Sequence, residues 1–150
     1  MNDTKSQILP SKLDELICFA LYSANNAVNR SYRSHLDKIG LTYPQYIVLV
    51  ALWEKENVTV GQLCERLFLE TSTLTPVLKR LESLGYVTRK RHPEDERKVS
   101  VGLTTAGKQL QKKSPEITKC IIRDTGKEID ELCHMVESLK TMRTNLTSKD

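Results

Sequence analysis

Cys18 has the most chemically suggestive surroundings in this sequence. It stands in Leu16-Ile17-Cys18-Phe19-Ala20-Leu21-Tyr22, so Tyr22 follows it by four residues, on the same face of a helix. Tyr32 lies further along, and Tyr43 follows in Leu41-Thr42-Tyr43-Pro44-Gln45-Tyr46. Phenol O–H groups that donate to a thiolate favour its charged form. A thiolate attacks a peroxide O–O bond and becomes a sulfenic acid. Spacing alone favours a blander alternative, a small hydrophobe packed inside the helix. Cys64, Cys120 and Cys133 complete the set, with no Cys-x-x-Cys spacing and no clustered histidine. No metal site and no cofactor are implied, and a permanent disulfide framework is out of place in a reducing compartment. Cys64 reads as packing, and Cys133 falls on an apolar helical stripe.

A second chemistry runs from Thr71 to Lys98. Thr71, Ser72, Thr73 and Thr75 bring hydroxyls to the start of a helix, where they can donate to phosphates or base edges. Lys79 and Arg80 follow on that helix as phosphate-neutralising cations. Beyond Gly85 a charged loop carries Arg89, Lys90, Arg91, Arg97 and Lys98, with Glu94, Asp95 and Glu96 at its tip. Acids at such a tip make sense if Asp95 pairs with Arg97 and aims its guanidinium fork at a narrow minor groove. A solvated basic helix end and a charge-balanced β-turn are the alternatives. The direct succession of helix, strand, basic hairpin and strand favours double-stranded DNA.

These groups must be positioned by elements that the pattern predicts. Leu13, Ile17, Leu21, Ala24 and Val28 recur at helical spacing behind a Ser11/Asp14 box, so helix one spans about Ser11 to Leu36. Thr42 and Gln45 cap helix two, and Thr59 and Gln62 start a short helix three over Val60 to Leu67. Helix four begins near Thr71 with Leu74, Val77, Leu78, Leu81 and Leu84 inward. Its Pro76 lies past the free first turn and predicts a kink or a late start. Tyr86 to Arg91 and Val99 to Leu103 pair as strands around the His92–Lys98 loop. Thr104 caps helix five, with Pro115 mid-way, and Thr125 with Glu128 boxes the start of helix six. Ile129, Leu132, Cys133, Val136 and Leu139 line one face of that last helix. The predicted class is mainly α, a winged helix-turn-helix of about six helices with a short β-hairpin wing. Residues 1–10 are expected to be a flexible N-terminus, 11–40 and 104–147 a helical dimerisation region, and 41–103 the DNA-binding region.

At 150 residues with a net charge of +4, composition allows one domain with a dimerising extension. The placement of charge is more telling. Seven Lys or Arg stand against four Asp or Glu between Lys79 and Lys98, while acids dominate from Asp124 to Glu137. No apolar run approaches the ~20 residues of a membrane span, and the N-terminus lacks a signal peptide's apolar core, so a cytoplasmic location without a membrane partner is expected.

Leu-Thr-Pro-Val-Leu-Lys-Arg-Leu-Glu from Leu74, Gly85-Tyr-Val-Thr-Arg, Glu94-Asp-Glu-Arg-Lys-Val and Leu103-Thr-Thr-Ala-Gly together resemble the MarR family of winged-helix repressors, over residues of about 13 to 145. That resemblance implies an α-rich homodimer joined through N- and C-terminal helices. It also implies paired recognition helices on an inverted-repeat operator, in major grooves about 34–36 Å apart. The Cys18 segment is similar to the organic hydroperoxide resistance regulator branch. There the helix-one cysteine is the peroxide-sensing thiol, so Cys18 is the implied sensor. Tyr32 and Tyr43 are its implied hydrogen-bonding partners, and Tyr22 sits where a further tyrosine occurs. Members of the branch stop at a sulfenic acid and a mixed disulfide with a low-molecular-weight thiol, or use a second cysteine late in helix five. Cys120 lies in that region, and the favoured outcome is Cys18 bonded to Cys120 of the partner subunit. The branch often has Asp-Ser where this chain has Glu70-Thr71-Ser72, a change expected to keep the capping chemistry. The implied function is a repressor, not an enzyme, that leaves DNA when an organic hydroperoxide oxidises Cys18. Two alternatives stand beside it: a MarR-type repressor released by a small aromatic ligand, and a thiol peroxidase, against which no Arg or acid–base pair accompanies Cys18.

Overall fold

Three capping boxes and one buried leucine stripe account for most of the architecture. The computed structural model describes residues 12–148, so the expected flexible segment 1–10 lies outside the described residues. A 3-10 turn, Leu13–Glu15, precedes α1 (Ile17–Leu36). Helix one therefore starts later than expected, because Leu16 is extended and interrupts the run. Ser11 is outside the described residues, and Lys12 occupies the cap position of the turn. In α2 (Tyr43–Glu54), Thr42 N–H donates to Gln45 Oε1 at 2.9 Å while Thr42 Oγ1 accepts from Gln45 N–H. The same exchange between Thr59 and Gln62 opens α3 (Val60–Leu67). Each box satisfies two otherwise orphaned donors.

The recognition segment is α4 (Thr71–Ser83), continuous from its first residue. Pro76 neither delays nor splits it. Proline removes the N–H that Ser72 C=O would accept, but Ser72 is exposed, and the fully buried Leu74, Leu78 and Leu81 hold the helix through that turn. Burial of each such side chain stabilises by roughly 1.5–3 kcal/mol. The expected cap did not survive the departure at its start: Glu70 occupies the N-cap and its side chain makes no cap hydrogen bond. Gly85, at φ +77°, turns the chain out of α4 in a conformation that an L side chain rarely adopts.

The wing is β2 (Val87–Arg91) paired antiparallel to β3 (Val99–Leu103), with Val87 opposite Leu103 and Arg91 opposite Val99. A short strand missed in the sequence, β1 (Val58–Thr59), pairs with β3 and makes the sheet order β1-β3-β2. Two residues carry too little alternation to reveal a strand. Expected helix five is in fact α5 (Thr105–Leu110), a 3-10 turn Gln111–Lys113, and α6 (Ser114–Thr125). Pro115 falls in the first turn of α6, where its missing N–H costs nothing. The last helix, α7 (Ile129–Thr147), is boxed by Glu128 and Glu131 rather than by Thr125 and Glu128.

The core joins α2, α3, α4 and the sheet, with Leu49, Leu52, Leu63, Val87 and Val101 fully or nearly fully buried. Helix α1 packs on α6, and Asp124 ties them: Ser31 Oγ donates to Asp124 Oδ2 at 2.7 Å and His35 Nε2 lies 2.9 Å from it. The rest is bare. Leu13, Ile17 and Tyr22 at one end, and Ile129, Val136 and Leu139 on α7, are exposed. Cys133 is exposed with them rather than packed as core. Among the described residues no helix is long and apolar enough to cross a membrane.

Candidate functional site

The helix-turn-helix places the hydroxyls where the sequence put them, on the first turn of α4, with Thr71, Ser72 and Thr73 all exposed. Two of the hydroxyls are already engaged. Thr75 Oγ1 donates to Thr71 C=O at 2.8 Å, and Thr71 Oγ1 lies 3.7 Å from Cys64 Sγ, which packs between α3 and α4 as expected. Lys79 and Arg80 are exposed further along the helix. Thr71, Thr75, Arg89, Arg97 and Lys98 share one cleft of about 400 Å3 between α3, α4 and the wing. Hydroxyls and cations around such a cleft suit a polyanion's backbone.

Asp95 organises the wing tip. Its carboxylate accepts from Arg97 N–H at 3.1 Å and lies 3.8 Å from Arg97 Nε and 3.9 Å from Lys98 Nζ. Arg91 pairs loosely with Glu96 at 4.0 Å, and Lys90 is exposed. The Arg97 side chain remains 97% exposed. Arg89 behaves differently from the other wing cations. Its Nε and Nη2 donate to Glu82 Oε2 at 3.0 and 2.6 Å, its backbone N–H donates to Glu82 Oε1 at 3.3 Å, and its side chain is only 26% exposed. The hydrogen bonds from Arg89 hold the Glu82 carboxyl below the usual carboxylate range. Arg89 was grouped with the DNA-contacting residues from sequence. In this structure it lines the cleft and also clamps the end of α4 to β2 through Glu82, a partner with no mark in the sequence pattern.

The sensor residues fall into two groups. Tyr32 and Tyr43 stack at 4.8 Å between ring centroids, and Tyr46, which the sequence reading left out, joins them 5.9 Å from Tyr32. Tyr46 follows Tyr43 by three residues on α2, a spacing that could have revealed it. Burial first, and the neighbouring phenols second, push Tyr32 up to about 12 and raise Tyr43 as well. Both phenols therefore keep their protons at neutral pH and remain donors. They line a cavity of about 280 Å3 with Tyr46, Glu54, Arg66 and Ser114.

Cys18 is not with them. It is exposed near the start of α1 and has no hydrogen-bond partner within the chain among the described residues. Fourteen residues of helix separate it from Tyr32, about 21 Å at 1.5 Å each. The implied cluster of one thiol and its tyrosines does not form inside one chain. Tyr22, one turn from Cys18, is exposed beside it. Cys120 lies on α6 next to the other end of α1, lining a cavity with His35. His35 is seventeen residues from Cys18, about 25 Å along the helix. A disulfide needs Cα atoms within about 7 Å, so Cys18 and Cys120 of one chain cannot bond in this conformation.

Comparison with known proteins places this geometry. A family model described as transcriptional regulator SarA/Rot matches residues 30–114. The HTH-type transcriptional regulator TtmR of Methylorubrum extorquens (strain PA1) is 44% identical over 140 residues, 93% of this chain and 72% of that protein. The organic hydroperoxide resistance transcriptional regulator of Bacillus subtilis (strain 168) is 40% identical over 139 residues, 93% of this chain and 95% of that protein. Among solved structures, reduced AbfR bound to DNA is 33% identical with a TM-score of 0.74, covering 90% of this chain and 94% of that one. Disulfide-formed AbfR is 36% identical with a TM-score of 0.65, covering 91% and 93%. A crystal structure of AbfR is from Staphylococcus epidermidis. The chain belongs to the MarR-type winged-helix transcriptional regulators, in the branch of the organic hydroperoxide resistance regulators.

Proposed function

We propose that this chain is a homodimeric repressor that holds an inverted-repeat operator while Cys18 is reduced and leaves it when an organic hydroperoxide oxidises that thiol. One observation carries the reading: the exposed thiol and the half-buried Tyr32, with Tyr43 against it, lie at opposite ends of one helix whose flank is bare. A two-fold axis near Asn25 pairs α1 with its copy so that residue 18 meets residue 32, each seven positions from the axis. Cys18 then faces Tyr32 and Tyr43 of the partner subunit, and the second copy covers Ile17, Tyr22 and the α7 stripe. The names of the relatives and the reduced, DNA-bound state of AbfR support redox control.

The chemistry balances in two steps. The Cys18 thiolate attacks the hydroperoxide, the O–O bond breaks, sulfur gains the oxygen as a sulfenic acid, and the alkoxide takes a proton and leaves as an alcohol. The thiolate of Cys120 of the partner subunit then attacks the Cys18 sulfur and expels hydroxide, which is protonated to water as the S–S bond forms. Cys120 lies beside His35, three residues and about 5 Å beyond Tyr32 on α1, so on this pairing Cys18 must shift along the partner's helix to reach it. Each lost phosphate or base contact is worth ~1–3 kcal/mol, and two half-sites lose together.

The test is a gel shift with operator DNA and cumene hydroperoxide. Cys18→Ser binds like wild type when reduced and stays bound after oxidant. Normal release of the variant overturns the assignment. It would favour instead a small aromatic ligand in the cavity beside Tyr32, Tyr43 and Tyr46.

A further inference from the structure

A cavity of about 410 Å3 opens where the end of α1, the Gln111–Lys113 turn and α6 meet. Lys38, Lys112 and Lys113 line it, Ile39 and Ile117 supply apolar surface, and Cys120 sits within it, its Sγ 4.0 Å from Glu116 Oε1. Three ammonium groups against one carboxylate make an electropositive mouth around a thiol. The segment that must bring Cys18 to Cys120 has the opposite character. It runs through the turn Leu13–Glu15, with Asp14 and Glu15 as adjacent acids, and it exposes the apolar Leu13 and Ile17. Lys113 precedes Cys120 by seven residues, two helical turns and about 10 Å along one face. Asp14 precedes Cys18 by only four residues.

We propose that this cavity is a docking groove for the start of α1 of a second copy. Lys38, Lys112 and Lys113 draw in Asp14 and Glu15, Leu13 and Ile17 cover the half-buried Ile39, and Cys18 is delivered to Cys120 of the partner subunit. The groove rests on the two-cysteine reading above and adds the surface that makes the second thiol reachable. It also gives the three lysines a role away from DNA.

The experiment measures the rate of interchain Cys18–Cys120 bond formation in the full-length dimer after cumene hydroperoxide, on non-reducing gels with peptide mapping. Lys112→Glu with Lys113→Glu slows it about tenfold at low salt, and the deficit shrinks at high salt. Asp14→Lys with Glu15→Lys slows it similarly, and the four substitutions together recover most of the wild-type rate. Lys112→Gln with Lys113→Gln gives a smaller slowing in the same direction, should the reversed charges disturb folding. Operator affinity of the reduced variants is unchanged. Rates indifferent to charge and salt, or a combined variant no faster than either parent, overturn the groove. A wild-type protein that forms no such bond while dimedone traps Cys18 as a sulfenic acid overturns the two-cysteine reading itself, and the groove with it.

Discussion

Arg89 and Arg97 stand on the same wing, yet they predict different responses to substitution. Arg97 is almost fully exposed, with Asp95 holding its backbone N–H and lying a loose 3.8 Å from its Nε; Arg89 is three-quarters covered and makes both of its side-chain hydrogen bonds to Glu82. A cation that neutralises a phosphate contributes about 0.9 to the slope of log affinity against log salt on duplex DNA. Arg97→Ala removes one such contact from each wing of a dimer, so the slope flattens by about 1.8. Between 50 and 200 mM salt that difference amounts to roughly tenfold in affinity. Arg89→Ala leaves the slope within experimental scatter, but lowers the melting temperature because the α4–β2 clamp is gone. Fluorescence anisotropy of a labelled operator, titrated across that salt range, reads both slopes directly. If Arg89→Ala flattens the slope as much as Arg97→Ala does, the clamp opens on DNA and the distinction between the two arginines is wrong.

Tyr32→Phe keeps the stack on Tyr43 and removes one O–H donor. A hydrogen bond to a charged group is worth ~1.5–3 kcal/mol, so oxidation of Cys18 at pH 7 slows by about tenfold or more. Stopped-flow measurement that finds an unaltered rate removes Tyr32 from the sensor. Leu81→Ala empties a fully buried site and costs ~2–5 kcal/mol, visible as a lower urea midpoint at fixed protein concentration. The carboxyl of Asp124 is pushed down from 3.8 to about 2, chiefly by the His35 hydrogen bond and then by Ser31. The sign follows from that depression: its stabilisation is present above about pH 4 and lost as pH falls towards 2. Asp124→Asn is therefore less stable than wild type at pH 5, with a difference that disappears by about pH 2, as urea titrations at each pH will read.

Local signals made much of this architecture legible. Thr42 with Gln45 and Thr59 with Gln62 announced their helices because a capping box is a contact between residues three apart. The leucine stripe of α4 outweighed Pro76, which local reasoning alone reads as a kink or a late start. Where the sequence misled, the deciding contact was distant or the local motif was ambiguous. The pairing of Arg89 with Glu82 was not legible, because the two lie on different elements and nothing in a charge run marks which cation is already paired. The start of α7 was misplaced by three residues because Thr125 and Glu128 match the usual Thr-x-x-Glu box, whereas the pair that forms has a glutamate at the N-cap. The separation of Cys18 from Tyr32 was legible, since both fall within the helix expected from Ser11 to Leu36 and 14 residues of helix are about 21 Å.

That separation explains how oxidation could reach the DNA face. Tyr32 and Tyr43 join α1 to α2, and Tyr46 O–H pairs with Ser114 Oγ at 2.8 Å at the start of α6. Further along α2, Trp53 Nε1 donates to Gly107 C=O at 3.0 Å in α5. Gly107 has no room to yield, since a Cβ there would collide with the Tyr86 carbonyl. Thr104, the α5 cap, donates through Oγ1 to Gly85 C=O at 2.6 Å, where α4 ends. At the opposite end of α4, Phe68 lies in the turn from α3 with Arg143 of α7 4.1 Å above its ring. The recognition helix is thus gripped near both ends by elements that also carry the bare dimer faces. Packed interfaces of this kind switch between arrangements rather than stretch. On the proposed mechanism, a thiol that leaves the partner's phenols for Cys120 of the partner subunit displaces α1, and the Tyr32–Tyr43 contact and the Asp124 tie connect that displacement to α2 and α6. On this reading the tyrosines serve twice: as donors to the reduced thiol, and as the joint through which its loss is transmitted to α4.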